Sequence, residues 1–249
     1  MQDIFYPYLL LMAALYLIRH GQASFGQADY DLLSEKGQQQ AFVLGQSWSR
    51  QQVPTFCYTG SLLRHEQTKQ HFYHGLNQAL PHCISHSGFN EFDHQDILIK
   101  YQPKWRRFND MTAHFDQFDE PKKALADAFE QAVERWLSGE YDDQYKESWP
   151  SFKRRCVQAL NDLIKQQNHL KQTTGNAAQE IAVFTSAGPI TVILSHVLGL
   201  NRAQGFALNQ QLRNTSVTKL LFDEQRISVD FYNNYSHLTQ HDAELISFR

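Results

Sequence analysis

Cysteine is scarce in this chain, and the few cysteines that occur are far apart. Among 249 residues there are three, Cys57, Cys83 and Cys156, and none belongs to a C-x-x-C pair. This spacing provides neither a zinc-binding pattern nor a disulfide framework. Because disulfides persist mainly in oxidising compartments, we expect a protein of the reducing cytoplasm.

The chain also lacks an excess of charge and a long apolar run. Its 23 Lys and Arg residues nearly balance 26 Asp and Glu residues, for a formal net charge of −3, whereas nucleic-acid-binding proteins usually carry a basic face. The apolar stretch "YPYLLLMAALYLI" is too short to cross a bilayer, and it lacks the basic start of a signal peptide. We therefore expect neither a nucleic-acid partner nor a membrane. We interpret Tyr8 to Met12 as a short extension packed on the body, with Met12 as an alternative start.

Histidine, by contrast, is plentiful, with 12 residues, and three of them fall in "HEQTKQHFYH". His65, His71 and His74 are not joined by Cys or acidic residues at a known ligand spacing. We interpret them as an exposed helix face that partly lines a cleft, and we expect no metal and no cofactor.

Strand and helix patterns alternate in the first and last parts of the chain. The predicted strands are "LYLI", "TFCYT", "IAVFTS", "TSVTKLLFDE" and "RISVDFYN". Helical patterns follow the first three, and Ser34 is the expected N-cap of the first helix. The last two strands are expected to pair through a turn. These features predict an α/β fold, with a mostly parallel central sheet and helices on both faces.

The middle of the chain, from about residue 93 to residue 150, has a different composition. It is rich in Asp, Gln, Lys and aromatic residues and shows no strand alternation. The segment "EPKKALADAFEQAVERWLSGE" predicts an amphipathic helix that ends near Gly139. We expect one domain over residues 1–249, with residues 93–150 as a helical insertion or lid.

The first predicted strand ends in a group of residues suited to phosphate chemistry. The neutral imidazole of His20 can present a nitrogen lone pair to phosphorus and hold a phosphoryl group covalently. The forked guanidinium of Arg19 can neutralise phosphate oxygens, and Gly21 can offer an unobstructed N–H. Gln22 and Ser24 are candidates for further hydrogen bonds to substrate. The alternative is that Arg19 and His20 merely cap the sheet.

Two helix starts provide further candidate phosphate ligands. Arg64 lies early in the second helix, and Ser186, Ala187 and Gly188 lie where a later strand passes into a helix. A helix N-terminus attracts anions, and Ser186 is a suitable N-cap residue. A surface arginine and a plain helix cap are the alternatives.

Acidic residues in "GFNEFDHQD" are candidates for a proton donor. A carboxyl group that stays protonated can supply the proton that the leaving oxygen of a phosphoester needs. Either Glu91 or Asp93 can fill this role, and a solvated acidic loop is the alternative. In a parallel sheet, these candidates and the two helix starts meet at the carboxyl edge, where ligands bind.

The motifs together resemble those of the histidine phosphatase superfamily, in its phosphoglycerate mutase-like branch. The resemblance covers most of the chain and is carried by "LYLIRHGQASF", "CYTGSLLRHEQT", "GFNEFDH" and "IAVFTSAGPITVILSHVLGL". It implies that His20 is the phosphorylated nucleophile and that Glu91 is the proton donor. It also implies that Arg19 and Arg64 bind phosphate. The chain departs from the family's pattern at Ser186, where a second histidine is usual.

Three functions are compatible with this resemblance. The first, which we prefer, is a phosphatase that hydrolyses a small phosphoester or a phosphoprotein through phosphorylated His20. The second is a mutase that returns the phosphoryl group to an acceptor. The third is a phosphate-binding module with weakened catalysis, because Ser186 can donate one hydrogen bond but carries no positive charge.

Overall fold

The computed structural model of the protein describes residues 12–24, 31–48, 52–106, 108–175 and 180–248. Most of the extension interpreted from Tyr8 to Met12 lies outside these ranges. The strands are β1 (Ala13–Arg19), β2 (Phe56–Thr59), β3 (Cys83–Ser85), β4 (Glu180–Thr185), β5 (Val217–Phe222) and β6 (Ile227–Asn234). The helices are α1 (Glu35–Ser47), α2 (Leu63–Leu76), α3 (His94–Tyr101), α4 (Phe108–Phe115), α5 (Pro121–Ser138), α6 (Trp149–Thr174), α7 (Ala187–Leu198), α8 (Arg202–Gln211) and α9 (Ser236–His241).

The strands form one sheet in the order β3-β2-β4-β1-β5-β6. Strands β1 to β4 are parallel, β5 runs antiparallel to β1, and β6 runs antiparallel to β5. The prediction of a mostly parallel sheet is therefore confirmed, and so is the pairing of the last two strands. Because β4 lies between β1 and β2, the residues that follow these three strands lie side by side at one edge.

Alternate residues of the central strands enter two apolar clusters on opposite faces of the sheet. Leu15 packs with α6 and α7 residues such as Ile190 in one cluster. Tyr16 packs with Leu44 of α1 and Phe72 of α2 in the other. Strands buried on both faces are typical of parallel sheets that helices cover on each side. The predicted placement of helices on both faces is thus confirmed.

The chain divides into two compact units, one formed by Met1–Glu91 with Cys156–Arg249 and the other by Phe92–Arg155. The second unit has an aromatic core in which Trp136 contacts Phe92 and Phe152. Its helix α5 begins at Pro121, which suits a first turn, and stops before Gly139, whose φ of 82° favours glycine. A single domain with an insertion over residues 93–150 stays a prediction.

Cysteine pairing is one point on which the sequence prediction was wrong. Cys57 and Cys83 form a disulfide, although no disulfide framework was expected. They are direct partners in the parallel pair β2 and β3, and 26 residues separate them along the chain. Their contact depends on strand pairing, which the spacing of cysteines alone does not reveal.

Neither a membrane-spanning helix nor a metal-binding cluster occurs in the described part of the chain. Over these residues, no helix is both long and apolar enough to cross a bilayer. The same residues contain no group of three or more His, Cys, Asp or Glu side chains arranged to hold a metal ion.

Candidate active site

Three neighbouring strands end at the same edge of the sheet and deliver the residues of the candidate site. The N–H of His20, just after β1, donates to the carbonyl of Thr185 at 2.8 Å. The N–H of Gly60, just after β2, donates to the carbonyl of Phe184 at 3.0 Å. His20, Ser186 and Gly60 therefore follow adjacent strands, as expected for a site at the carboxyl edge of a parallel sheet.

The imidazole of His20 is buried and held in one orientation. Its Nδ1 lies 2.6 Å from the carbonyl oxygen of Gly21. Since a carbonyl only accepts, Nδ1 carries the proton and Nε2 keeps a lone pair. Burial, with the charges of Arg64 and Arg19, lowers the pKa of His20 well below its ordinary value. The side chain is therefore a neutral imidazole with a free nucleophilic nitrogen at neutral pH.

Arg19 and Arg64, the two predicted phosphate ligands, are both buried, and their charges act on His20. The guanidinium of Arg19 donates to the carbonyls of Leu212 at 2.5 Å and Phe248 at 2.7 Å. Arg64 forms an ion pair with Asp31 at 2.7 Å. Because each arginine is anchored by such contacts, its charge is fixed near His20 before a substrate arrives, which reduces the reorganisation that binding requires.

The loop after β1 differs from its prediction in one respect. Gly21 was expected to offer an unobstructed N–H, but this N–H donates to the hydroxyl of Thr68 at 3.1 Å. Glycine is needed there for another reason, because a Cβ would lie 2.3 Å from the carbonyl oxygen of Gly37. The side-chain oxygen of Gln22 accepts from the Ser34 hydroxyl at 3.1 Å. Both residues thus hold the loop against α1 and α2.

Ser186 occupies the N-cap position of α7, yet its side chain makes no capping hydrogen bond. Its hydroxyl oxygen instead lies 2.7 Å from Nε2 of His65, and both residues are fully buried. The ring centroids of His65 and His20 are 5.7 Å apart. The interpretation of His65 as part of an exposed helix face was therefore wrong, although His74 is indeed exposed. The position of His65 directly after Arg64 is the sequence signal that could have identified it.

The first turn of α7 connects the site to the acidic loop. Ala187 opens the helix and is buried. The N–H of Gly188 donates to Oε2 of Glu91 at 3.1 Å. Glu91 is thus held against the helix that begins directly after Ser186.

Asp93 has a different role, within the second unit. It is the N-cap of α3, where its carboxylate accepts from the N–H of Asp96 at 3.0 Å, and it forms an ion pair with Lys146 at 2.9 Å. Burial acts to raise the pKa of Asp93, but these two partners outweigh it and hold the pKa below its ordinary value. An ionised helix cap of this kind is a poor proton donor.

A turn that the sequence did not suggest supports the end of β1. The N–H of Thr215 donates to the carbonyl of Arg19 at 3.1 Å and to that of His20 at 3.3 Å. Its φ of 57° is unusual for a β-branched residue. The Thr215 hydroxyl donates to the carbonyl of Asn214 at 2.7 Å and lies 3.0 Å from Nε2 of His237. Backbone strain of this kind often accompanies a functional site.

Comparisons with known proteins identify the family of this chain. The model of the histidine phosphatase superfamily (branch 1) matches residues 15–124 and 102–235. No curated protein sequence matches the chain.

Several solved structures share the fold at low sequence identity. Phosphoglycerate mutase from Bacillus anthracis is 16% identical with a TM-score of 0.59, over 92% of this chain and 96% of that one. Phosphoserine phosphatase from Entamoeba histolytica, solved with phosphoserine, is 21% identical with a TM-score of 0.58, over 90% and 98%. Mycobacterial glucosyl-3-phosphoglycerate phosphatase, solved with inorganic phosphate, is 19% identical with a TM-score of 0.58, over 90% and 99%.

Proposed function

The chain belongs to the histidine phosphatase superfamily, and on this premise we propose that it hydrolyses phosphomonoesters through a phosphohistidine at Nε2 of His20. The observation that carries the proposal is the state of this imidazole. It is buried, its Nδ1–H is held by the Gly21 carbonyl, and its pKa is lowered. A neutral, oriented nitrogen of this kind suits nucleophilic attack on phosphorus.

The first chemical step forms the phosphohistidine. Nε2 of His20 attacks phosphorus, and the N–P bond forms while the ester P–O bond breaks. The leaving oxygen takes a proton from Glu91. The charges of Arg19 and Arg64 stabilise the negative charge on the remaining phosphoryl oxygens.

The second step releases phosphate. A water molecule attacks the phosphorus, its proton passes to the carboxylate of Glu91, and the N–P bond breaks. Inorganic phosphate leaves, and the neutral imidazole of His20 and the acid are regenerated. Both steps use this chain's own residues, and no cofactor takes part in them.

Glu91, rather than Asp93, is the proposed proton donor. The contact between Glu91 and the N–H of Gly188 supports this choice, because it ties the carboxyl group to the turn that carries Ser186. Asp93 is instead held ionised by the α3 N-terminus and Lys146.

We take a small phosphoester as the substrate class and the cytoplasm as the location. Phosphoserine and glucosyl-3-phosphoglycerate, named for structurally similar phosphatases, support a small substrate. The low cysteine content supports the cytoplasm, whereas the Cys57–Cys83 disulfide argues for an oxidising compartment. A phosphoprotein is the alternative substrate, to be tested with phosphopeptides beside small phosphoesters.

The test is hydrolysis of an aryl phosphate such as 4-nitrophenyl phosphate. The wild-type protein is expected to turn it over, and His20→Ala is expected to reduce turnover to background. His196→Ala, which changes an exposed histidine on α7, serves as the control and should retain wild-type turnover. Undiminished turnover in His20→Ala would contradict the mechanism. Binding of inorganic phosphate by a wild-type protein without turnover would favour the binding module.

A further inference from the structure

His65 and Ser186 form a buried pair at the candidate site, although 121 residues separate them. Nε2 of His65 and Oγ of Ser186 lie 2.7 Å apart, and the exposed fraction of each residue is 0%. Ser186 follows β4, which pairs with the strand that delivers His20. The pair therefore lies beside the nucleophile proposed above, on the side of the sheet edge where β4 ends.

A phosphoryl group in contact with Ser186 would set the direction of this hydrogen bond. Oxygens of a phosphate dianion only accept hydrogen bonds, so a serine hydroxyl that contacts them must donate its proton. The oxygen of Ser186 is then left to accept, and Nε2–H of His65 is the donor beside it. In this arrangement, His65 donates to Ser186, and Ser186 donates to a phosphoryl oxygen.

Two further observations fit a role in the site better than a role in the fold. Ser186 stands at the start of α7, where a serine side chain ordinarily caps the helix, but its hydroxyl makes no capping bond. Nδ1 of His65 is buried and has no hydrogen-bond partner among the described residues. The contact with Ser186 is therefore the one hydrogen bond that this ring makes to the described residues.

We propose that His65 is a positioning residue for phosphoryl transfer, which holds the Ser186 hydroxyl so that its proton points at the phosphoryl group on His20. This inference rests on the proposed function. The pair takes the place of the second histidine that the chain lacks at position 186. Since burial and the charge of Arg64 lower the pKa of His65, the neutral imidazole acts by orientation rather than by charge.

Three substitutions at position 65 separate the hydrogen bond from packing. His65→Leu keeps a similar volume but removes the donor. His65→Gln places an amide N–H close to the position of Nε2 and keeps the donor, whereas the amide of His65→Asn stops one methylene short of Ser186. Ser186→Ala and the double variant His65→Leu with Ser186→Ala complete a double-mutant cycle. His74→Leu, on an exposed position of the same helix, is the matched control.

The measurement is kcat and KM for an aryl phosphate, with a thermal melt of each variant. We expect His65→Leu, His65→Asn and Ser186→Ala each to lower kcat by roughly 10- to 100-fold, since oriented donors act mainly in the transition state. His65→Gln should stay within about threefold of wild type, and the double variant should be no worse than the worse single variant. Wild-type kcat in folded His65→Leu or His65→Asn would overturn the proposal, as would losses that multiply in the double variant.

The same variants distinguish a failure of this inference from a failure of the proposed function. If the wild-type protein shows no turnover, the proposed function fails, and the cycle is measured on the affinity for orthovanadate instead. A loss of about tenfold in both single variants, with no further loss in the double variant, then supports the pairing. An unchanged affinity in His65→Leu and His65→Asn would overturn it.

Discussion

The N–H of His20 donates to the carbonyl of Thr185 at 2.8 Å, so that the residues after β1 and β4 emerge side by side. One backbone hydrogen bond thus places the proposed nucleophile next to the turn that begins α7. The same turn carries Ser186 and receives Glu91 through the N–H of Gly188. The site is therefore built chiefly from the edge of the sheet and the first turns of two helices, which are rigid elements suited to precise positioning.

Replacement of Ser186 by histidine is expected to lower activity rather than raise it. Position 186 is fully buried, and its hydroxyl already lies 2.7 Å from Nε2 of His65. Because positions 186 and 65 are both fully buried, we expect a second imidazole to overpack the site and force its neighbours to shift. We expect Ser186→His to fall below wild-type kcat/KM, and the double variant with His65→Ala to exceed Ser186→His alone. A large gain in Ser186→His itself would contradict the crowding argument.

Glu91 and Asp93 are expected to respond differently to substitution. Glu91→Gln removes the proposed acid, and kcat for an alkyl phosphate should fall about 10²- to 10⁴-fold. The loss should be smaller for an aryl phosphate, because its leaving oxygen needs less protonation. Steady-state kinetics on the two substrates gives this comparison.

Asp93→Ala is the paired substitution in the same loop. It removes an N-cap and an ion pair with Lys146, so it should cost about 1 kcal/mol of stability and leave kcat near wild type. A collapse of kcat in folded Asp93→Ala, with Glu91→Gln unaffected, would exchange the two roles.

Gly21→Ala is expected to destabilise the protein. A Cβ at this position would lie 2.3 Å from the carbonyl oxygen of Gly37, and a backbone atom cannot move aside as a flexible side chain can. Overpacking of this kind costs about 1 to 3 kcal/mol, which urea denaturation would measure. Stability equal to wild type would show that the loop after β1 can separate from α1.

The buried His237 is expected to make the fold sensitive to acid. Burial lowers its pKa from the ordinary 6.5 to about 4, so below pH 6.5 the unfolded chain binds this proton more readily than the folded protein. The stabilising contribution is full above pH 6.5, falls as the pH drops, and is lost by about pH 4. Its size is about 3 kcal/mol.

The check is urea denaturation near pH 7 and near pH 5 for wild type and His237→Gln. The variant should lose less stability on acidification, although His20 and His65 leave a remaining slope because burial lowers their pKa values too. His241→Gln, at an exposed position of α9, should behave as wild type. An identical pH dependence in His237→Gln would show that this histidine does not contribute.

The sequence predicted the parallel sheet well because its signals are local. Apolar runs such as Leu15–Ile18 and the glycines and serines that follow them mark strand ends, and strand ends are where this fold places its ligands. His20, Arg64 and Ser186 could therefore be selected without coordinates, each from the few residues around it.

What the sequence could not reveal depends on contacts between distant segments. His65 shares its helix with His71 and His74, and its burial beside Ser186 follows from the packing of α2 against the end of β4. Asp93 and Glu91 are both acidic residues of one short segment, and only the structure shows that Asp93 is the N-cap of α3. The pairing of Cys57 with Cys83 likewise follows from strand order.

The most direct measurement is to trap the phosphoenzyme. Wild type and His20→Ala would be mixed with a ³²P-labelled phosphoester, quenched, and assayed for protein-bound phosphate that is labile in acid and stable in alkali. We predict label on the wild-type protein, located at His20, and none on the variant. Turnover by the wild-type protein without such an adduct, or an adduct that persists in His20→Ala, would contradict catalysis through phosphorylated His20.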